Sequence, residues 1–213
     1  MSHIADIRKD YKLKTLDEQD VDASPIKQFN AWWAEAEAAH IDEVNAMVLS
    51  TIDAQMMPHS RIVLLKGVDE KGFIFYTNYQ SEKAQNIAGN AHVSLLFFWK
   101  ELERQVRITG SAEKVSQSES DEYFNSRPPG SRIGAWASPQ STVIASRKIL
   151  EKNVSEIEKR FANKMIERPP HWGGYRVIPS GIEFWQGRPS RLHDRIKYSL
   201  HDDGSWKIYR LAP

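Results

Sequence analysis

Between Arg188 and Arg195 the chain carries three arginines, a histidine and an aspartate within eight positions, in the middle of FWQGRPSRLHDRIKY, a run that otherwise reads as β-strand. Three guanidiniums so close repel one another unless an anion or carboxylates lie among them. The stretch therefore asks for an anionic, phosphorylated ligand. Strict alternation turns Asp194 away from its neighbours, where it can hold an arginine in place.

Other cations recur with polar company. Arg61 and Lys66 flank the apolar strand RIVLLKG. Their odd offset puts them on opposite faces, so they serve one ligand only through a bulge or the strand ends; two cations at the exposed ends of a core strand is the plainer reading. FYTNYQSEKA places Tyr76 and Thr77 at a strand end and Ser81 and Lys83 at a helix start, a ready phosphate site, although Ser81 as a simple N-cap fits equally well. Tyr123, Arg127 and Ser131 follow at steps of four from a helix into a loop. Phenol, guanidinium and hydroxyl suit a phosphate monoester, and a capped helix with a Tyr–Arg stack is the alternative.

His193 stands without an HxxxH or carboxylate partner at ligand spacing, so no metal is expected, and the histidines at 40, 59, 92, 171 and 201 read as structural. The chain has no GxSxG, Walker loop or GxGxxG, which argues against the hydrolase, P-loop and dinucleotide folds.

These residues need a scaffold. At 213 residues the chain is long enough for one domain with a sizeable core. Twenty-nine Lys+Arg against 28 Asp+Glu give a net charge of +1, so no global field favours nucleic acid or membrane and any anion site is built locally. The absence of cysteine excludes disulfides and thiolate chemistry. Without a secretory segment or long apolar run, a soluble, cytoplasmic protein is expected.

The first 24 residues are charged and aperiodic, predicting an arm that is mobile until it covers something, in the manner of a lid. Residues 25–213 then form a single domain. Ser24-Pro25 opens a helix to about residue 40 with Ile26, Phe29, Trp33 and Ala36 on one face. From Ala46 the period changes to two: AMVLSTID, SRIVLLKGV, FIFYTN, HVSLLFFW and RQVRITGSAEKV read as strands, with DEKG a turn and residues 81–90 a short crossover helix. A helix over 116–127 ends at Pro128-Pro129-Gly130, followed by a loop over 131–141. A second helix over 143–163 has an apolar seam of Leu150, Val154, Ile157 and Phe161 that should cap the barrel or a partner subunit. The chain closes with the strands GGYRVIP and GIEFWQG and a RIKYSL–SWKIYRL hairpin turning at 201–204. The fold class is mostly β with flanking α, a closed or split barrel of antiparallel Greek-key type with peripheral helices.

Read together, RIVLLKG, FYTN-x-x-S-x-KA, SLLFFW-x-x-LERQVR-x-x-G, YF-x-SRP, IGAWAS-x-QS, WGGYRV, EFWQG-x-x-x-RLHDR and the terminal W-K-I-x-RLAP resemble the pyridoxamine/pyridoxine 5′-phosphate oxidase family, from Ala46 to Pro213 in family order. The resemblance implies an FMN-binding split barrel working as a homodimer, with FMN at the subunit interface. It implies FMN contacts from Arg61 through Ile62, Val63, Leu64 and Leu65 to Lys66, and from Tyr76, Thr77, Lys83, Gln105, Gln140, Ser141, Trp185 and Arg195. Substrate would fall to Lys66, Tyr123, Arg127 and Ser131, with Arg191 and His193 reaching the pyridine from the neighbouring subunit as the catalytic pair, and Arg8 and Tyr11 in a segment that closes over the site. The implied reaction is oxidation of pyridoxamine or pyridoxine 5′-phosphate by O₂ to pyridoxal 5′-phosphate, with hydrogen peroxide and, from the amine, ammonia as co-products. One departure is Glu82, where the family commonly has arginine. Two other readings stay open: another split-barrel flavin reductase with a nicotinamide or deazaflavin donor, and a non-catalytic carrier of flavin or pyridoxal phosphate.

Overall fold

A computed structural model describes residues 4–213. Helix α1 (Pro25–Ala38) begins where Ser24 accepts a hydrogen bond from the Lys27 amide and Pro25 occupies the first turn. Strands β1 (Ala46–Ile52), β2 (Pro58–Leu64), β3 (Gly67–Asp69) and β4 (Gly72–Asn78) follow, then helix α2 (Glu82–Gly89), β5 (His92–Trp99) and β6 (Arg104–Lys114). Helices α3 (Gln117–Ser126), α4 (Pro129–Ala137) and α5 (Arg147–Arg160) precede β7 (Trp172–Gln186), β8 (Asp194–Leu200) and β9 (Trp206–Arg210).

The described strands form one nine-stranded sheet ordered β2-β1-β5-β6-β7-β4-β3, with β8 and β9 branching from β7, and every pair is antiparallel. The sheet curls into the expected split barrel. Alternation works strand by strand: β1 buries Met47, Leu49 and Thr51, and β5 buries Val93, Leu95, Phe97 and Trp99. Phe29 of α1 plugs the interior, its ring 4.9 Å from Phe73 and 5.3 Å from Phe97. Truncating so enclosed an aromatic to Ala typically costs about 3–5 kcal/mol.

Five expectations are corrected. Trp32, rather than Trp33, is the fully buried indole of α1, because Trp33 sits at the rim against Trp99. SRIVLLKGV breaks at Leu65 into β2 and β3, since β2 runs along β1 whereas β3 turns onto β4. GGYRVIP and GIEFWQG fuse into β7: β6 pairs along its whole length with a register shift between Thr109 and Gly110, while its other edge pairs first with β4 and then with β8. Pro179 lies between those two partners, where a missing donor breaks no ladder. The loop expected over 131–141 is largely α4, because Pro129 sits in the first turn as an initiator rather than ending α3 as a terminator. Finally, the α5 seam does not cap the barrel: it is half-buried and packs on α4, with the Asn153 side chain donating to Ala137 O at 2.9 Å and Phe161 5.6 Å from Trp136, which leaves the partner-subunit alternative standing.

The arm lies against this body: the Leu16 amide donates to Asp194 at 3.1 Å and Arg210 pairs with Asp17 and Glu18. Among the described residues no helix is long and apolar enough to cross a membrane.

Candidate active site

Two clefts gather most of the candidate residues. The first, of about 490 Å³, opens where the ends of β2 and β4 meet α2, α3 and the start of α4. Ile62, Val63, Leu64, Lys66, Tyr76, Thr77, Lys83, Tyr123, Arg127, Ser131 and Gln140 all line it, together with Asn78, Pro128 and Trp172. It contains three cations and no carboxylate.

That imbalance is built in. Lys83 is buried, and its Nζ reaches only hydroxyls, Thr77 Oγ1 and Ser81 Oγ, both at 3.4 Å. Burial, followed by the neighbouring Arg61 charge and offset in part by Glu82, holds its pKa below the usual lysine value. Ser81 does not cap α2 with its side chain; its Oγ donates instead to Asn78 O at 2.7 Å. Arg127 stacks on Trp172, and its Nη1 is buried with no hydrogen-bond partner. Burial pushes its pKa down. Tyr123 stacks on Tyr76 at 3.9 Å, with Trp172 parallel beyond. An orphaned guanidinium N–H and a lysine without an acid are groups awaiting an anion.

Arg61 sits beside this cleft rather than in its wall. Its Nη1 donates to Thr51 Oγ1 at 2.6 Å and His59 O at 2.9 Å, and Nη2 is 3.8 Å from Glu82. Glu82 also faces His59 at 3.3 Å, and His59 meets Asp53 at 2.9 Å, so this histidine belongs to the charge network around Arg61. Leu65 turns into the core. Ser141 follows Gln140 in a left-handed conformation (φ 68°) and is exposed.

The second cleft, of about 510 Å³, is lined by Ile7 to Tyr11 of the arm and by Arg188, Ser190, Arg191 and His193. Ser190 and Arg191 both have positive φ, 55° and 61°, a strained pair that presents Arg191 outward. His193 Nδ1 accepts from the Arg188 amide at 3.0 Å, so in the neutral ring the proton is on Nε2. Burial, then Arg191, holds its pKa below 6.5 against the opposing pull of Asp194. His193 thus offers an N–H donor at neutral pH. Asp194 braces Arg210 at 3.1 Å and Arg188 at 3.6 Å.

Gln105, Trp185 and Arg195 lie in neither cleft. They form a cross-strand row on β6, β7 and β8, with Trp185 4.5 Å from the His193 ring. Arg195 donates to Glu183 at 2.9 Å and to Ala212 O at 2.8 Å. Glu183, buried and also paired with Arg107, was not legible as a site residue, because its partners come from other strands. Trp172 was also missed, although the Gly-Gly after it signals a crowded backbone.

The chain is similar to known proteins along most of its length. A family model described as "Pyridoxamine 5'-phosphate oxidase" covers residues 33–161, and one described as "Pyridoxine 5'-phosphate oxidase C-terminal dimerisation region" covers 172–213. Relatives named pyridoxine/pyridoxamine 5'-phosphate oxidase include one from Ralstonia pickettii, 57% identical over 100% of both chains, and one from Trichormus variabilis, 56% identical over 99% of this chain and 98% of its own. Among solved structures, PhzG from Burkholderia lata, in complex with tetrahydrophenazine-1-carboxylic acid, is 30% identical with a TM-score of 0.88, covering 94% of this chain and 99% of its own. An FMN binding protein from Nostoc punctiforme, 17% identical with a TM-score of 0.72 over 91% of this chain and 100% of its own, shares the fold.

Proposed function

Because this chain belongs to the pyridoxamine 5′-phosphate oxidase family, we propose that it binds FMN and oxidises pyridoxamine or pyridoxine 5′-phosphate to pyridoxal 5′-phosphate with O₂. The observation that carries this reading is the carboxylate-free first cleft, with its buried Lys83 and orphaned Arg127 Nη1. These residues fit two phosphates: Lys83, with Arg61 beside it, for FMN, and Lys66, Tyr123, Arg127 and Ser131 for the substrate.

When bound, FMN supplies the two-electron acceptor, taking a hydride equivalent from the substrate 4′-carbon and passing both electrons to O₂ to give hydrogen peroxide. The chain's own groups orient and neutralise. Arg127, stiffened on Trp172, holds the substrate phosphate in a fixed direction. His193 Nε2–H and the Arg191 guanidinium donate to the pyridine side, where charge shifts as the 4′-carbon is oxidised. For the alcohol, the hydroxyl proton leaves and the aldehyde forms directly; for the amine, water hydrolyses the imine and ammonia departs.

No residue lines both clefts, so within one chain His193 and Arg127 face different spaces. A homodimer resolves this, with the Arg191–His193 cleft of one subunit meeting the first cleft of the other. The sheet face supports it: Ile62 is 63% exposed and Phe98 52%, and Ile62 aligns through Val48 with Leu96, an apolar row running inward from the edge strand β2. The name of the C-terminal family model points the same way.

The test is an anaerobic mix of the flavin-loaded protein with pyridoxamine 5′-phosphate. The flavin band should bleach and return on admitting air; binding without bleaching would make the protein a carrier.

A further inference from the structure

Glu103 is an acid whose side chain is only 4% exposed, and it lines neither cleft. Its Oε2 accepts the amides of Lys12 at 2.8 Å and Leu13 at 3.1 Å, and its Oε1 lies 3.4 Å from Lys9 Nζ. Among the described residues, every partner of this carboxylate comes from the arm. Its burial is therefore compensated only while the arm is docked. The backbone of Glu103 is committed to the same neighbourhood: its carbonyl accepts from the Gly187 amide at 2.8 Å and the Gln186 side chain at 3.3 Å, at the base of the loop that carries Arg191 and His193.

Gly187 gives an independent sign. A Cβ there would fall 2.7 Å from two ring carbons of Tyr11, closer than real contacts allow. Its missing side chain is the seat of the Tyr11 ring, which lies edge-on to Trp185 at 5.7 Å and 6.0 Å from His193.

We propose that Glu103 and Gly187 are positioning residues, a latch and a seat that hold Tyr11 and Arg8 against the Arg191–His193 cleft and so set the affinity for the phosphorylated pyridine. The substrate in this inference rests on the oxidase reading; the latch rests on geometry alone. Further along, Asp194 binds the Leu16 amide, Glu35 pairs with Lys14 and Arg210 pairs with Glu18. Losing the latch should therefore free residues 7–13 and leave 14–18 in place.

The arm carries its own reporters, since Arg8, Lys9 and Lys12 are trypsin sites. Two variants of the flavin-loaded protein are informative. Glu103→Gly removes the carboxylate while easing a residue held at φ 54°. Gly187→Ala keeps the carboxylate and evicts the ring. Each should speed cleavage at Arg8, Lys9 and Lys12 by about ten-fold or more, as a locally opened segment does. Each should also raise KM for pyridoxine 5′-phosphate by about ten-fold with kcat within about three-fold, the signature of lost uniform binding. Flavin content should stay at the wild-type level. Glu103→Gln, which keeps one oxygen for both amides, should restore most of the protection. Unchanged cleavage and unchanged KM in both variants would overturn the proposal. If wild type fails to oxidise the substrate, yet its arm is protected and both variants expose it, the oxidase reading falls and the latch is supported.

Discussion

Arg127 places its guanidinium carbon 4.5 Å from the centre of the Trp172 ring, leaving Nη1 buried and free of any partner. Stacking on an indole fixes the plane of the guanidinium and keeps it charged without a carboxylate. Arg127→Lys, which cannot stack in this way, and Arg127→Met should both raise KM for pyridoxine 5′-phosphate by about ten- to a thousand-fold, or about 1.4–4 kcal/mol. Unphosphorylated pyridoxine, assayed at saturating concentration, should be turned over as in wild type. Equal damage to both substrates would place Arg127 in the scaffold.

His193→Asn keeps an acceptor for the Arg188 amide and removes the Nε2 donor. We expect kcat/KM to fall by about ten- to a thousand-fold with flavin content unchanged. Since burial and Arg191 hold the pKa of His193 below 6.5, the neutral ring persists as pH falls past that value, and the acid limb of kcat/KM lies lower still. Arg191→Met removes one depressing charge and should move that limb upward. Comparing these profiles with that of His193→Asn separates the histidine from the substrate phosphate.

Lys83 has a pKa below the usual 10.5 in the empty site, and a bound phosphate raises it, so FMN binding takes up a proton at alkaline pH. FMN affinity should fall as pH rises through the lowered value. Lys83→Met should bind more weakly by about 1.5–3 kcal/mol and lose that pH dependence. Fluorescence titration across pH reads both, and a parallel slope in the variant would assign the proton elsewhere.

Glu82 lies 3.8 Å from Arg61, with its side chain 54% exposed. It partly neutralises a cation that, on the proposed reading, would meet the cofactor phosphate. Glu82→Gln should tighten FMN by about 0.2–1 kcal/mol, a gain that shrinks as salt rises. A dissociation constant unchanged at both low and high salt would show that Glu82 and the phosphate do not compete.

Phe98→Glu places a charge in the exposed apolar stretch on the outer sheet face. Sedimentation should show the dimer shifting to monomer, with flavin lost in step. A monomer holding stoichiometric FMN would refute the shared site.

Much of this was legible where local physics dominates. Period-two alternation located the strands around Leu49, Phe97 and Ile108 because each has one buried face. The cations of the first cleft stood out because Lys83 sits at a helix start beside Ser81, and Arg127 falls four residues from both Tyr123 and Ser131. The reverse held where partners are distant or local signals are double-edged. Pro128-Pro129-Gly130 can end one helix or begin the next, and only the packing of α4 decides. Pro179 resembles a strand break until β6 is seen to bridge it. Glu183, Glu103 and Trp172 acquire their roles from residues tens of positions away. The left-handed Ser190–Arg191 pair carries no glycine to announce it.

Asp194 holds the Leu16 amide with one oxygen and Arg210 with the other, while Arg210 in turn grips Asp17 and Glu18. On a ribosome Leu16, Asp17 and Glu18 are made well before Asp194 and Arg210. The arm must therefore wait, unpartnered, while the intervening strands are made and until Asp194 and Arg210 clear the exit tunnel. Its charged, aperiodic composition suits that interval, because a segment rich in charge can wait in water without aggregating.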